Sequence, residues 1–172
     1  MEPLRIETER LTIVPFTERM AESVCRNSLD RDNREFLPDE VFETPADALD
    51  TIRFLRGCYD GEGPQVYPVL LQDGTQIGHV QAVPLRDGSW EIGYHIGAGF
   101  TGKGYATEAV RAFLPVIMQR LGINRIWGIC RADNPASQRV LKRCGFALQY
   151  DGLGLHHGTT RAICRYLYQL EA

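Results

Sequence analysis

The sequence predicts an α+β fold, and three observations predict it. Two Asp-Gly pairs punctuate a run of apolar, β-branched segments, a long helical periodicity follows a glycine-rich turn, and a strand–helix–strand succession comes after it. Asp73-Gly74 and Asp87-Gly88 separate Val66–Leu71, Gln76–Pro84 and Ser89–Ile96. Asp-Gly is the strongest short-range hairpin signal, because glycine takes positive φ without strain, so the three segments form an antiparallel meander. A sheet in the front half followed by a βαβ-like back half gives the class.

Each element follows in order. Leu11–Phe16 has strand character, with Pro15 at its exit. Thr17 reads as the N-cap of a helix through Met20, Ala21, Val24 and Cys25 to Leu29. Asp30–Glu43 is charged and contains Pro38, which predicts an irregular surface segment. Thr44-Pro45 opens a second helix, with Leu49, Ile52, Phe54 and Leu55 on or near one face, and Gly61 and Gly63-Pro64 end it. After the meander, Lys103–Leu121 is a long helix carrying Ala106, Ala109, Val110, Phe113, Ile117 and Leu121 at helical spacing. Gly122 stops it, and Pro115 should remove one ladder bond and bend it. Arg125–Arg131 is a strand, Pro135–Cys144 a helix, Phe146–Tyr150 a strand, and Thr160–Leu170 the last strand. No repeat or linker divides the 172 residues, so the whole length 1–172 is expected to form one domain.

Composition excludes several classes of function. Hydrophobic residues are 44% of the chain and charged residues 24%, ordinary for a packed domain. A net charge of -3 offers no basic field to a nucleic-acid backbone, so no nucleic-acid partner is expected. No apolar run reaches the ~18 residues that span a bilayer, so no membrane association is expected. Met1–Phe16 is broken by Glu2, Arg5, Glu7, Glu9 and Arg10, which excludes the apolar core of a signal peptide. Cys25, Cys58, Cys130, Cys144 and Cys164 are odd in number, scattered and without zinc spacing, which suits reduced thiols in the cytoplasm and no metal.

The informative segment is Ile96-Gly97-Ala98-Gly99-Phe100-Thr101-Gly102-Lys103-Gly104-Tyr105-Ala106-Thr107. Leaving a strand and entering a helix, it exposes backbone N–H groups at a positive helix end, which either welcomes a phosphate or is only a steric turn. Gly97-x-Gly99-x-x-Gly102 matches the dinucleotide fingerprint, but Glu108 and Asp133 bracket a stretch without the acidic residue that would hold a ribose. Gly97-x-x-x-x-Gly102-Lys103 matches a P-loop until Gly104, which stands where a hydroxyl must ligate magnesium. A degenerate P-loop NTPase is therefore the competing reading from another class.

Thr101-x-x-Gly104-x-Ala106 at the head of a helix resembles the Q/R-x-x-G-x-G/A pyrophosphate loop of the GNAT superfamily of N-acetyltransferases. The run Gly102–Ala109, the preceding Trp90-Glu91-Ile92-Gly93-Tyr94, the later Asn134-Pro135-Ala136-Ser137 through Gly145-Phe146, and the opening Thr8–Ile13 are similar to its ribosomal-protein N-terminal acetyltransferase branch. The likeness covers nearly the whole chain in the correct order. It implies a mixed, mainly antiparallel sheet flanked by helices and splayed between strands Trp90–Ile96 and Arg125–Arg131. It implies acetyl-CoA as co-substrate and a primary amine as acceptor, on a protein N-terminus or a small molecule, in a monomer or homodimer. A non-catalytic acetyl-CoA-binding module is the remaining alternative.

The same resemblance assigns the residues. Thr101, Gly102, Lys103, Gly104, Tyr105, Ala106 and Thr107 would cradle the pyrophosphate, with Thr101 replacing the usual Gln or Arg. Tyr94, His95 and Ile96 would present backbone to the pantetheine arm, with a strand N–H near His95 facing the oxyanion. Asn134 would contact the same arm, although an Asn before Pro135 is also a standard helix start. Ser137 would meet the thioester sulfur, since the tyrosine many members place on this helix is replaced by Leu141 and Lys142. Glu91 is the expected base, because an α-amine with a pKa of about 8 or a lysine at about 10.4 arrives mostly as ammonium at pH 7. A solvated strand glutamate is its bland alternative, and His79 is a second base. His156 and His157 fall in a Gly-rich loop that could line the acceptor site. Arg139, Lys142 and Arg143 could meet the 3′-phosphate, or form only a solvated face.

Overall fold

The computed structural model describes residues 1–171. Its strands are β1 (Ile6–Glu7), β2 (Leu11–Ile13), β3 (Gln65–Leu71), β4 (Gln76–Pro84), β5 (Trp90–Ile96), β6 (Arg125–Arg131), β7 (Ala147–His156) and β8 (Thr159–Gln169). They form one eight-stranded sheet in the order β1-β2-β3-β4-β5-β6-β8-β7. All neighbours are antiparallel except β5 and β6. The meander forms as the Asp-Gly pairs predict. In each turn only the glycine takes positive φ, 88° at Gly74 and 84° at Gly88. Gly74 N–H donates to the Leu71 carbonyl at 2.9 Å, so the turn is type I followed by a left-handed glycine.

The parallel contact between β5 and β6 decides where a ligand can enter. It pairs Glu91 with Trp127 and Ile92 with Gly128, and nothing beyond. From Gly93 to Ile96, β5 has no strand on that side, so the sheet opens as the family likeness implies. On its other side β5 pairs with β4 along its whole length, Val83↔Glu91, Gln81↔Gly93 and His79↔His95 among the pairs. Strand alternation puts these polar residues on one face, and Val80, Ala82, Ile92 and Tyr94 on the other.

The helices are α1 (Ala21–Ser28), α2 (Arg31–Phe36), α3 (Pro45–Cys58), α4 (Tyr105–Leu121) and α5 (Pro135–Arg143). Ala109, Val110, Phe113, Leu114, Ile117 and Met118 bury one stripe of α4 in the main core with Val80, Ala82 and Ile92. A smaller cluster of Phe16, Ala21, Ile52, Leu55 and Val66 packs α1 and α3 on the other face. Pro115 lies on the exposed side of α4, where water can satisfy the carbonyl it leaves unpaired, and the helix runs through it.

Four expectations need correction. Residues 30–43 are not irregular: they hold α2 and a 3₁₀ turn at Pro38–Glu40. Asp30 caps α2 by accepting from Asn33 N–H at 2.7 Å, and buried Asn33 donates to the Ser28 and Glu40 carbonyls at 2.8 and 3.1 Å. A helix held by polar bonds carries no apolar period to read. Thr17 makes no side-chain cap; a 3₁₀ turn over Glu18–Met20 precedes α1. The first predicted strand is only Leu11–Ile13, and it pairs with the unpredicted β1. Finally, β7 runs to His156 instead of stopping at Tyr150, so the predicted Gly-rich loop is a hairpin. Its turn is His157-Gly158, both at positive φ, 46° and 75°. Gly154 is needed inside the strand, since a Cβ there would lie 2.4 Å from Ile163 Cδ1.

Candidate active site

Three connected recesses run from the glycine turn through the opened sheet to Glu91. The first is lined by Phe100, Thr101, Gly102, Gly104, Tyr105, Ala106 and Thr107, and by Arg139 and Arg143 of α5. Gly102 and Gly104 take φ of 74° and 80°, a region only glycine enters freely. Gly104 caps α4 without any side-chain bond to the first turn, which leaves backbone N–H groups free for an anion. Thr101 Oγ1 instead donates to the Ala98 carbonyl at 3.1 Å. Arg10 braces the loop from outside: it donates to the Lys103 carbonyl at 2.9 Å, pairs with Glu108 at 2.8 Å and covers the Tyr105 ring at 4.5 Å. Lys142 does not line this recess.

The second recess lies between β5, β6, α5 and α2. Tyr94, His95 and Ile96 form one wall, Ile129, Cys130 and Arg131 the other, with Asn134 and Ser137 above and Asn33, Phe36 and Leu37 below. It shares Ile96, Thr101, Ala106, Ala136 and Val140 with the first, so the two are one groove. Asn134 accepts from Ser137 N–H at 3.2 Å, which satisfies the helix-start reading while leaving its Nδ2 group free. Tyr94 crosses the gap to α5: its hydroxyl donates to the Ser137 carbonyl at 2.9 Å and lies 2.8 Å from Ser137 Oγ. A phenol has one proton, so Ser137 donates the second bond to Tyr94 Oη. Arg131 stacks on Phe36 at 4.7 Å and pins α2 over the groove. No local pattern foretells the Tyr94–Ser137 contact, because the two lie 43 residues apart.

The third recess continues past Tyr94, Ser137 and His156 to Glu91, Gln81 and Glu40. Burial pushes the Glu91 carboxyl up to about 7, the negative charge of Glu40 adds to this, and Arg165 pulls the other way. Burial also opposes ionisation of Glu40, but His79, the Gln81 hydrogen bond and His95 together hold it below the usual range. Glu40 Oε2 lies 3.1 Å from His79 Nε2, and Gln81 Nε2 donates to Glu40 Oε1 at 2.9 Å. His95 Nε2 lies 3.0 Å from Asp30 Oδ2, and burial followed by the His79 charge lowers its pKa. His79 is thus engaged by Glu40 and stands behind the recess, without lining it.

His156 lines both inner recesses, and burial, with His157 and Arg161 nearby, lowers it to about 4, so it is neutral at pH 7. His157 lies 2.9 Å from Asp39, tying the β7–β8 turn to the 3₁₀ turn that carries Glu40. Among the described residues no group of acidic, His or Cys side chains is arranged to hold a metal ion.

The comparisons with known proteins match this architecture. The family model for the acetyltransferase (GNAT) domain matches residues 10–147. YnaD, an uncharacterized N-acetyltransferase of Bacillus subtilis (strain 168), is 29% identical over 83% of this chain and 82% of its own length. The crystal structure of a GNAT-family acetyltransferase from Bacillus anthracis has a TM-score of 0.81 at 25% identity, covering 96% of this chain and 98% of that one. RimL, a ribosomal alpha-N-protein acetyltransferase solved with coenzyme A, shares the fold with a TM-score of 0.82 at 18% identity, covering 97% and 98%. The P-loop NTPase reading falls away, and the chain belongs to the acetyltransferase (GNAT) family.

Proposed function

We propose that this chain works as a single catalytic domain in which acetyl-CoA occupies the groove from the glycine turn to Ser137 and a primary amine reaches it from the Glu91 side. The observation that carries this reading is the continuity of the three recesses through the gap between β5 and β6. Acetyl-CoA supplies an activated acetyl thioester. Backbone N–H groups at the head of α4 would hold its pyrophosphate, with Arg139 and Arg143 placed for further phosphate charge. The unpaired stretch of β5 from Gly93 to Ile96 offers backbone partners to a pantetheine amide, and the free Nδ2 of Asn134 offers another. A strand N–H near His95 is the expected oxyanion donor; in the β4–β5 register the N–H groups of Tyr94 and Ile96 turn toward the gap, while that of His95 faces β4.

Glu91 would take the proton of the arriving ammonium. Its carboxyl titrates at about 7, close to the working pH that suits a general base. Ser137, whose hydroxyl donates to Tyr94 Oη, would turn that proton to the departing thiolate while Tyr94 stays held by the Ser137 carbonyl. The acceptor is a protein N-terminal or small-molecule amine, and the cytoplasm is the proposed compartment. RimL, which shares the fold, is a protein α-N-acetyltransferase, which supports an amine acceptor. The test follows release of the free thiol of coenzyme A with a panel of N-terminal peptides, polyamines, aminoglycosides and simple amines. Amine-dependent thiol release that rises with pH through about 7 is expected. Tight acetyl-CoA binding without amine-dependent release from any acceptor class would sink the reading.

A further inference from the structure

Glu91 is recessed and lines the acceptor end of the groove, yet no described side chain gives its carboxylate a hydrogen bond or ion pair. Glu40 lies in the same recess, fixed by Gln81 and His79. Polar groups of Ser137, His156 and His157 close its inner end, and one wall is apolar: Leu37 from the end of α2, Val83 and Leu85 from β4 and its turn, and Leu155 from β7. Leu155 is 68% exposed, so the apolar wall extends outward to solvent. The recess is about 280 Å³, at or just below the low end of the roughly 300–1,000 Å³ typical of ligand pockets.

We propose that the acceptor is a compact primary monoamine with an apolar body, its ammonium seated between Glu40 and Glu91 and its aliphatic or aryl portion against Val83, Leu85 and Leu155. This rests on the reading of that recess as the acceptor site. Glu40 sets the specificity: it is the ionised partner that draws a cation in, while Glu91 removes the proton. A second ammonium, as in a polyamine, would lie against the apolar wall and lose hydration without gaining a partner. A free amino acid would bring its own carboxylate toward two acidic side chains, which is repulsive. The groups facing Glu91 are Glu40 from the 3₁₀ turn, Arg165 from β8, and neutral His156 beside His157 at the hairpin. Removing the Glu40 charge therefore lowers the pH at which Glu91 ionises.

The experiment compares kcat/KM for phenethylamine, spermidine, glutamate and an N-terminal Ser tetrapeptide, using the intact chain and its Glu40→Gln and Leu155→Gln variants. Phenethylamine should lead spermidine and glutamate by at least about tenfold, the discrimination expected of one apolar subsite. Leu155→Gln, a change at an exposed position, should raise KM for phenethylamine severalfold and leave spermidine unchanged. Glu40→Gln should raise KM for phenethylamine and move the acid limb of its pH profile to lower pH. A spermidine or peptide preference, or no effect of Leu155→Gln, overturns the proposal while leaving acetyl transfer standing. Transfer to none of the four, nor to any wider amine panel, overturns the enzymatic reading and this inference with it.

Discussion

Glu91 combines two properties that oppose each other. Its carboxyl titrates at about 7 in the fold against an ordinary 4.5, so the folded chain holds the proton more tightly than the unfolded one. The stability this confers is complete below about pH 4.5 and declines as pH rises to about 7, by up to ~3 kcal/mol at 1.36 kcal/mol per unit. Glu91→Gln should therefore raise the unfolding temperature at pH 8 and leave it unchanged at pH 4. The same variant should lose about 10²-fold or more in turnover at pH 8, where the native carboxylate is ionised. Calorimetry beside steady-state rates checks both; equal stability at pH 8 would show that the site does not strain Glu91. Ser137 and Tyr94 invite a different test, because they share hydrogen bonds. A thiolate leaving group with a pKa of about 8.5 needs only modest help, so Ser137→Ala should cost on the order of tenfold in rate. Tyr94→Phe should cost a similar factor, and the double variant little more than either. Additive losses would mean the two act separately.

At the scale of the element, the glycine turn works through backbone geometry. A Cβ on Gly104 would meet only Arg10 Nη2 at 3.5 Å, an ordinary contact, so space is not the obstacle. The obstacle is φ of 80° at the cap of α4, which a β-branched residue adopts at a cost of roughly 1–3 kcal/mol. Gly104→Val should weaken acetyl-CoA binding by about tenfold or more, while Lys103→Ala, an exposed charge, should weaken it only a few-fold. Calorimetric titration of both variants in one buffer decides; the reverse order would place recognition in the lysine side chain. The second decisive element is the segment 30–40. Its sequence advertises nothing but charge, yet it carries Asp30 to His95, Glu40 to His79 and Gln81, and Phe36 to Arg131.

At the scale of the whole molecule, the groove depends on how α5 sits on β6. A Cβ at Gly128 would lie 2.4 Å from Leu141 Cδ2, so the helix lies directly on the strand backbone. Gly128→Ala must displace the buried Leu141 side chain, which presses on α5 and through it on Asn134 and Ser137. The expected result is an overpacking loss of ~1–3 kcal/mol in stability, together with weaker acetyl-CoA binding by a severalfold factor. Denaturant unfolding and titration report these separately. A destabilised variant with unchanged coenzyme affinity would mean the groove tolerates a displaced α5.

Much of this protein is written in local pattern. The meander, α4 and its glycine entry, and the Asn134-Pro135 start of α5 follow from turn chemistry and periodicity. The same glycine turn, with Glu91 and the Asn134 segment, pointed through resemblance to residues that line the connected recesses. Three things did not follow. Helix α2 has no apolar stripe, because Asn33 holds it by amide bonds to Ser28 and Glu40. The β7–β8 hairpin is longer than propensity suggests, because Gly154 clears room for Ile163, which only the folded sheet brings near. The raised pKa of Glu91 arises from burial and from the charge of Glu40, 51 residues away in sequence. Local sequence determined where the backbone turns and which stripe is buried, since those depend on neighbours along the chain. Tertiary structure alone decided which charges face one another, since low dielectric and distance are properties of the packed fold.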